Sequence, residues 1–173
     1  MSNRAATVRT VVGFLKSVLV RRLPFLNKGQ TLASIFNYHD VAGLFPTSGQ
    51  PNERQFELIK QAGYDTVINL APASRLENAV IEEAQILQSL GIRYVHLPVD
   101  FENPTDEDFA KFVEAVKDRE NLWVHCAANM RVSAFTYRYR CEVLQHDPAS
   151  ARADLDRIWE PYGVWRKFLG WDS

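Results

Sequence analysis

The sequence has only two cysteines, Cys126 and Cys141, and no long uninterrupted apolar run. Two cysteines fifteen positions apart give neither a disulfide framework nor the spacing of a metal site. The longest apolar stretch lies near the N-terminus, is interrupted by Lys16, and is too short to cross a bilayer. The four histidines are too scattered to suggest a metal centre. We therefore expect no disulfide, metal or cofactor, and a reducing compartment such as the cytoplasm.

Acidic residues are absent from residues 1–39, which carry six basic residues. The rest of the chain holds the other fourteen basic residues and all twenty-one acidic ones. An acidic body of this kind excludes a general nucleic-acid-binding surface. The charge pattern divides the chain into a basic arm, residues 1–30, and a single domain, residues 31–173.

Valines and leucines between Val8 and Leu19 recur at helical spacing, which predicts an amphipathic helix that ends before Pro24. Three interpretations of this helix stay open. Residues 1–28 can lie on an anionic membrane surface, which would make the protein membrane-associated. They can be a cleaved targeting segment. They can also form a helix that docks on the domain or on a second subunit.

Strand and helix patterns alternate after residue 31, which predicts an α/β fold with a central, mostly parallel sheet flanked by helices. Ligands of such sheets bind beyond the carboxyl ends of the strands, where Asp100 and Cys126 both fall. The expected strands are residues 66–70, 94–98 and 122–125, with short edge strands at 35–37 and 44–46. The expected helices are residues 52–62, 77–90, 105–118, 131–144, 149–159 and 162–169.

The stretch from Leu122 to Ser133 contains the residues with the clearest chemistry. A buried strand ends at His125 and Cys126, and four small or neutral residues lead to Arg131 and a helical pattern. A loop before a helix N-terminus turns backbone N–H groups inward and attracts anions. A cysteine in such a field is favoured as the thiolate, and arginine can grip an oxyanion with two parallel hydrogen bonds. This stretch therefore predicts a nucleophile, an anion-binding loop and a clamp.

This stretch resembles the signature of cysteine-dependent protein phosphatases of the compact dual-specificity type, which is His-Cys, five residues, Arg, then Ser or Thr. Here four residues, Ala127 to Met130, separate Cys126 from Arg131, and Ser133 lies where the usual hydroxyl would be. Many rhodanese-like sulfurtransferases share the shorter spacing, so the loop alone leaves phosphoryl transfer and sulfur transfer open. A structural cysteine at a strand end is the third interpretation.

Further segments resemble a bacterial family of phosphatase-like domains, some of them fused to metallo-β-lactamase-like hydrolases. The resemblance covers roughly residues 31–170, leaves the basic arm outside, and implies the dual-specificity phosphatase fold. The segments are residues 48–51, 63–70, 102–105, 158–161 and 164–165.

The resemblance implies a role for each residue around the loop. Cys126 would attack phosphorus, and Arg131 would hold the phosphoryl oxygens. Asp100, twenty-six residues before Cys126, would protonate the leaving oxygen, with Glu102 as the reserve candidate. The substrate-binding residues would be Ala127, Ala128, Asn129, Met130 and Ser133.

Three of these positions carry more specific expectations. His125 is expected beneath the loop, bonded to the backbone and shaping the surroundings of Cys126. Ser133 would either donate a hydrogen bond to the Cys126 sulfur or cap the following helix. Asn129 would take a left-handed conformation in place of the glycines that the loop lacks.

The function that follows is metal-independent hydrolysis of a phosphomonoester through a cysteinyl-phosphate, with phosphotyrosine among the candidate groups. The phosphorylated substrate is a protein or a small molecule. Two alternatives stay open. One is a rhodanese-like sulfurtransferase that works through a Cys126 persulfide. The other is a catalytically weak or inactive phosphate-binding module kept for interactions through the basic arm.

Overall fold

The computed structural model describes residues 4–21, 30–73 and 82–172. In these residues one five-stranded sheet has the order β1-β2-β5-β3-β4, flanked by helices. The strands are β1 (His39–Asp40), β2 (Pro46–Ser48), β3 (Thr66–Asn69), β4 (Arg93–His96) and β5 (Leu122–His125). The helices are α1 (Arg4–Arg21), α2 (Glu53–Gln61), α3 (Glu83–Ser89), α4 (Asp106–Val116), α5 (Met130–Glu142), α6 (Pro148–Ile158) and α7 (Val164–Phe168).

The sheet confirms the predicted α/β class. Strands β2, β5, β3 and β4 pair in parallel, and only β1 is antiparallel to its neighbour β2. Parallel pairing places the carboxyl ends of β5 and β4 at the same edge of the sheet. The segments that follow these strands, Cys126 and Asp100 among them, therefore lie on one side of the molecule.

The two predicted edge strands differ from the structure. Residues 35–37 follow a short 3₁₀ helix, Leu32–Ser34, and form a turn. Asn37 has a φ of 49°, which an extended strand does not allow. The strand predicted at 44–46 lies at Pro46–Ser48, where it pairs on both sides and is not at the edge.

Alternation along the strands creates two apolar cores, one on each face of the sheet. Ile68 and Val124 belong to the larger core, which includes residues of α4, α5, α6 and α7. Val67 and Trp123 belong to the smaller core, which includes residues of α2 and α3. The C-terminal aromatic residues Trp159, Trp165 and Phe168 are buried in the larger core.

Side-chain caps fix the starts of two helices. The Asn52 side chain accepts a hydrogen bond from Gln55 N at 2.9 Å, and the Thr105 hydroxyl accepts one from Asp108 N at 3.1 Å. Gly63, after α2, has a φ of 95° that suits glycine. Of the helix predicted over 77–90, residues 77–81 lie outside the described residues, and α3 begins at Glu83.

Helix α1 forms where predicted and contacts α6. Ala6 and Thr10 are buried on the docked side, whereas Val8, Val12 and Leu15 are exposed on the outer side. The structure therefore places α1 against the domain, as one of the three interpretations expected. Its predicted stop at Pro24 lies outside the described residues.

In the described part of the chain no helix is both long and apolar enough to span a membrane. The division into arm and domain at residue 30 stays a prediction.

Candidate active site

Cys126 follows β5 directly and is only 1% exposed. The chain then turns within residues 127–129, and α5 begins at Met130. Asn129 has a φ of 65°, so the left-handed conformation predicted for it is present. Asparagine adopts this conformation more readily than most residues, and here it allows the chain to enter α5 after a very short loop.

Neighbouring segments fix the orientation of the loop peptides. Gln50 N donates to the carbonyl oxygen of Ala127 at 3.2 Å, and Asn37 Nδ2 donates to that of Ala128 at 3.0 Å. The C=O and the next N–H of a trans peptide point in opposite directions. The N–H group of Ala128 therefore points away from Gln50. Together with the first N–H groups of α5, it can hold an anion.

A cavity of about 700 Å³ lies beside this loop. It brings together the three residues predicted for catalysis, Cys126, Arg131 and Asp100, with the reserve acid Glu102. The predicted substrate-binding residues Ala127, Ala128 and Met130 also line it. In the described part of the chain, the remaining lining residues are Thr10, Val11, Phe14, Pro72, Pro98 and Phe101.

Arg131 lies in the first turn of α5 and is 3% exposed. Its guanidinium carbon is 5.1 Å from the centroid of the Phe101 ring, close enough for a cation–π contact. Trp165 Nε1 donates to the carbonyl oxygen of Phe101 at 2.9 Å, which anchors the segment after β4. Next to this anchor, Asp100 is exposed at the cavity and accepts a hydrogen bond from Glu102 N at 2.9 Å.

His125 lies beneath the loop, but its partner differs from the expected backbone group. Its Nε2 lies 2.8 Å from Glu83 Oε1, and both side chains are buried. Gln50 Nε2 donates to the other carboxylate oxygen of Glu83 at 2.8 Å, and Asn69 Nδ2 lies 3.3 Å from Oε1. Glu83 therefore joins α3 to the end of β5 and to the segment that holds Ala127.

Glu83 carries the clearest electrostatic signal in this buried group. Burial alone would raise the pKa of its carboxyl. The charge and hydrogen bond of His125 and the hydrogen bond from Gln50 outweigh that effect and lower the pKa below its ordinary value. Sequence reasoning missed Glu83, because an acidic residue in an amphipathic helix normally faces water. No local pattern marks it as buried.

Ser133 does not meet either expectation. Its hydroxyl donates to the carbonyl oxygen of Met130 at 3.0 Å and accepts from Trp159 Nε1 at 3.2 Å. It lies inside α5, so it does not cap the helix, and its proton goes to a backbone carbonyl and not to the Cys126 sulfur. Ser133 thus joins α5 to the end of α6.

Cys126 and Cys141 are not bonded to each other. Cys141 lies near the end of α5 and is partly buried. Burial raises the pKa of the Cys141 thiol above its ordinary value, which makes it a poor nucleophile at neutral pH. Its position away from the cavity leaves Cys126 as the thiol of the site.

A cysteine at the end of a parallel strand, with a short loop running directly into a helix, is the arrangement of the cysteine-dependent phosphatases. The fold and the cavity together define that class. The chain belongs to the family described as DSP-PTPase phosphatase fused to NAD+ kinase, whose model matches residues 33–158. The predicted resemblance to the phosphatase superfamily is thereby confirmed. A fusion to β-lactamase-like hydrolases is not shown.

Solved structures agree with this assignment. A DUF442 protein from Shewanella putrefaciens CN-32, described as a phosphatase, is 37% identical, with a TM-score of 0.70, covering 80% of this chain and 89% of that one. The core catalytic domain of the PP-IP phosphatase SIW14 from S. cerevisiae, solved with citrate, is 18% identical, with a TM-score of 0.66 and coverages of 79% and 85%. TpbA from P. aeruginosa, solved with pTyr, is 17% identical, with a TM-score of 0.57 and coverages of 74% and 75%. No curated protein matches the chain.

Proposed function

We propose that this protein hydrolyses a phosphomonoester through a cysteinyl-phosphate on Cys126, without a metal ion. The observation that carries the proposal is that Cys126, Arg131 and Asp100 line one cavity beside the loop that precedes α5. Membership of a phosphatase family supports the same reaction class.

In the first step, the Cys126 sulfur attacks phosphorus and the bond from phosphorus to the leaving oxygen breaks. Asp100 gives its proton to that oxygen, so the product leaves as a neutral alcohol or phenol. Arg131 and the backbone N–H groups of the loop hold the three non-bridging oxygens, on which negative charge is concentrated. In the second step, water attacks phosphorus, Asp100 accepts the proton, and inorganic phosphate leaves with regeneration of the thiolate.

The loop is one residue shorter than the usual phosphatase signature, so its ability to hold a phosphoryl group is part of the proposal. Two features support it. The left-handed Asn129 shortens the path from β5 to α5. The hydrogen bonds from Gln50 and Asn37 to the loop carbonyls fix the peptides in advance, which avoids a reorganisation cost on binding.

For the substrate we propose a phosphorylated protein or small molecule that presents a single phosphate, with phosphotyrosine as the first candidate. The TpbA structure contains pTyr, and the cavity beside Cys126 is far larger than a phosphate group alone. An aromatic alcohol would fit among the apolar lining residues.

The test is hydrolysis of an aryl phosphate in the presence of a chelator, by the wild type and by two cysteine variants. We expect Cys126→Ser to abolish turnover and still bind phosphate, and Cys141→Ser to behave as the wild type. Hydrolysis by Cys126→Ser at the wild-type rate would rule out the mechanism. Thiosulfate-to-cyanide sulfur transfer with no phosphatase activity would favour the rhodanese-like alternative. Phosphate binding without turnover by the wild type would favour the inactive module.

A second proposal concerns the basic arm, which we expect to contact anionic lipid reversibly. Val8, Val12 and Leu15 are exposed on the outer side of α1, and Arg9 and Lys16 beside them are also exposed. An apolar face with basic neighbours suits an anionic bilayer surface, to which the acidic remainder of the chain is not attracted.

The measurement is co-sedimentation with vesicles that contain phosphatidylserine. We expect binding that weakens at high salt, because salt screens the basic residues, and that is lost in Leu15→Asp. The exposed acidic residue Glu57, on α2, gives a control: Glu57→Gln should bind like the wild type. Failure of the wild type to sediment with these vesicles at low salt would refute lipid contact.

A further inference from the structure

Helix α1 lies outside the segment matched by the family model, residues 33–158, yet it reaches the candidate active site. Thr10, Val11 and Phe14 of α1 line the same cavity as Cys126 and Arg131. The cavity is therefore lined partly by residues of the segment that the family model matches and partly by residues of α1, which that segment does not include.

Specific contacts hold α1 in this position. The buried Thr10 hydroxyl donates to the carbonyl oxygen of Ile158 and accepts from Asn37 Nδ2 at 3.1 Å. Asn37 Nδ2 also donates to the carbonyl oxygen of Ala128, so one side chain joins α1 to the anion-binding loop. A Cβ atom at Gly13 would lie 2.6 Å from the Phe36 ring, which shows how closely the helix approaches the domain.

The lining of the cavity is unsuited to a polyanionic substrate. Among the described residues that line it, Arg131 is the only basic one, and Asp100 and Glu102 are acidic. One guanidinium and one loop can neutralise a single phosphoryl group. A second phosphate in the same cavity would face carboxylates, and like charges held close together repel.

We infer that α1 is the specificity-determining wall of the site, and that Val11 and Phe14 contact an apolar body attached to a single phosphate. This inference rests on the proposed phosphatase function and adds the class of leaving group to it. Phe14 packs against the larger core, which fixes its position, whereas Val11 is nearly half exposed at the cavity. Burying a two-ring apolar group between these side chains and the loop would remove it from water.

The experiment compares 1-naphthyl phosphate, which has a large apolar body, with acetyl phosphate, which is small and polar. For Phe14→Ala we expect the ratio of kcat/KM for naphthyl phosphate to that for acetyl phosphate to fall about tenfold, mostly through KM. Val11→Ala, a milder change at a half-exposed position, should lower the ratio in the same direction by about threefold. Val12 is adjacent but does not line the cavity, so Val12→Ala is the matched control and should leave the ratio unchanged.

An unchanged ratio in both Phe14→Ala and Val11→Ala would overturn the inference, as would an equal change in Val12→Ala. If the wild type hydrolyses neither compound, the proposed function fails, and the inference is then decided by binding. Calorimetric titration then compares Cys126→Ser with the double variant Cys126→Ser/Phe14→Ala. The second substitution should weaken the binding of 1-naphthyl phosphate and leave the binding of inorganic phosphate unchanged. An equal loss of affinity for both ligands, or no loss for either, would overturn the inference.

Discussion

Replacement of Glu83 by glutamine tests the buried group beneath the loop. Three donors, His125 Nε2, Gln50 Nε2 and Asn69 Nδ2, converge on the two oxygens of this carboxylate. The variant Glu83→Gln keeps the shape of the side chain but offers one oxygen and one NH₂ group. At least one buried donor then faces another donor, and His125 loses an anionic partner.

The expected loss of stability follows from these contacts. One buried polar group left without a partner costs about 1–3 kcal/mol. Removing one member of a buried ion pair costs about 3–5 kcal/mol, which sets the upper limit for this site. We expect Glu83→Gln to lower the free energy of unfolding by about 2–4 kcal/mol at pH 7. Glu82→Gln, at the exposed neighbouring position, is the control and should change it little.

The pH dependence makes the test specific. The pKa of Glu83 is lower in the folded protein than its ordinary value of 4.5. Its contribution to stability is therefore complete above that value and is lost as the pH falls through the folded pKa. Urea unfolding can be followed by tryptophan fluorescence between pH 7 and pH 3. The difference in the free energy of unfolding between wild type and Glu83→Gln should narrow below about pH 4.5. A difference in the free energy of unfolding that stays constant with pH, or no difference at pH 7, would refute this role of Glu83.

Three further predictions concern the loop and its chemistry. Gly49→Ala should lower the free energy of unfolding by about 1–3 kcal/mol in urea unfolding, because its Cβ would lie 3.0 Å from the Ala127 carbonyl oxygen and 2.8 Å from the Phe36 ring; wild-type stability would contradict this. Arg131→Lys should not restore the aryl phosphatase activity lost in Arg131→Ala, since a point charge cannot replace a planar fork, and equal rates for Lys and Arg would show that it is no clamp. Asp100→Asn should lower the rate with an alkyl phosphate much more than with an aryl phosphate, because the poorer leaving group needs the proton; equal losses would make Asp100 structural and Glu102 the next acid to test.

The sequence was sufficient for the parts of the fold that depend on local patterns. The strand at 122–125, the helix starts near Asn52 and Thr105, and the left-handed Asn129 all follow from residue type and spacing. The edge strand expected at 35–37 failed because Asn37 turns the chain there. That turn places Asn37 against Ala128, a contact between residues 91 positions apart that no local pattern encodes.

The candidate site shows the same division. The motif around Cys126 identified the nucleophile candidate and the clamp, and the topology of a parallel sheet brought Asp100 to the same cavity. The roles of Glu83 and Phe14 could not be read from the sequence, because each depends on packing between distant segments. An acidic residue in one amphipathic helix and a phenylalanine in another look like ordinary surface and core positions until the tertiary contacts are known.

In the proposed mechanism Cys126 carries the phosphoryl group, and rapid quenching of the reaction can trap this adduct. The wild type is mixed with an aryl phosphate, stopped in acid within one turnover, digested, and examined by mass spectrometry. We expect one phosphoryl adduct on the peptide that contains Cys126, present in Cys141→Ser and absent in Cys126→Ser. Turnover with no adduct on this peptide, or an adduct that persists in Cys126→Ser, would contradict it.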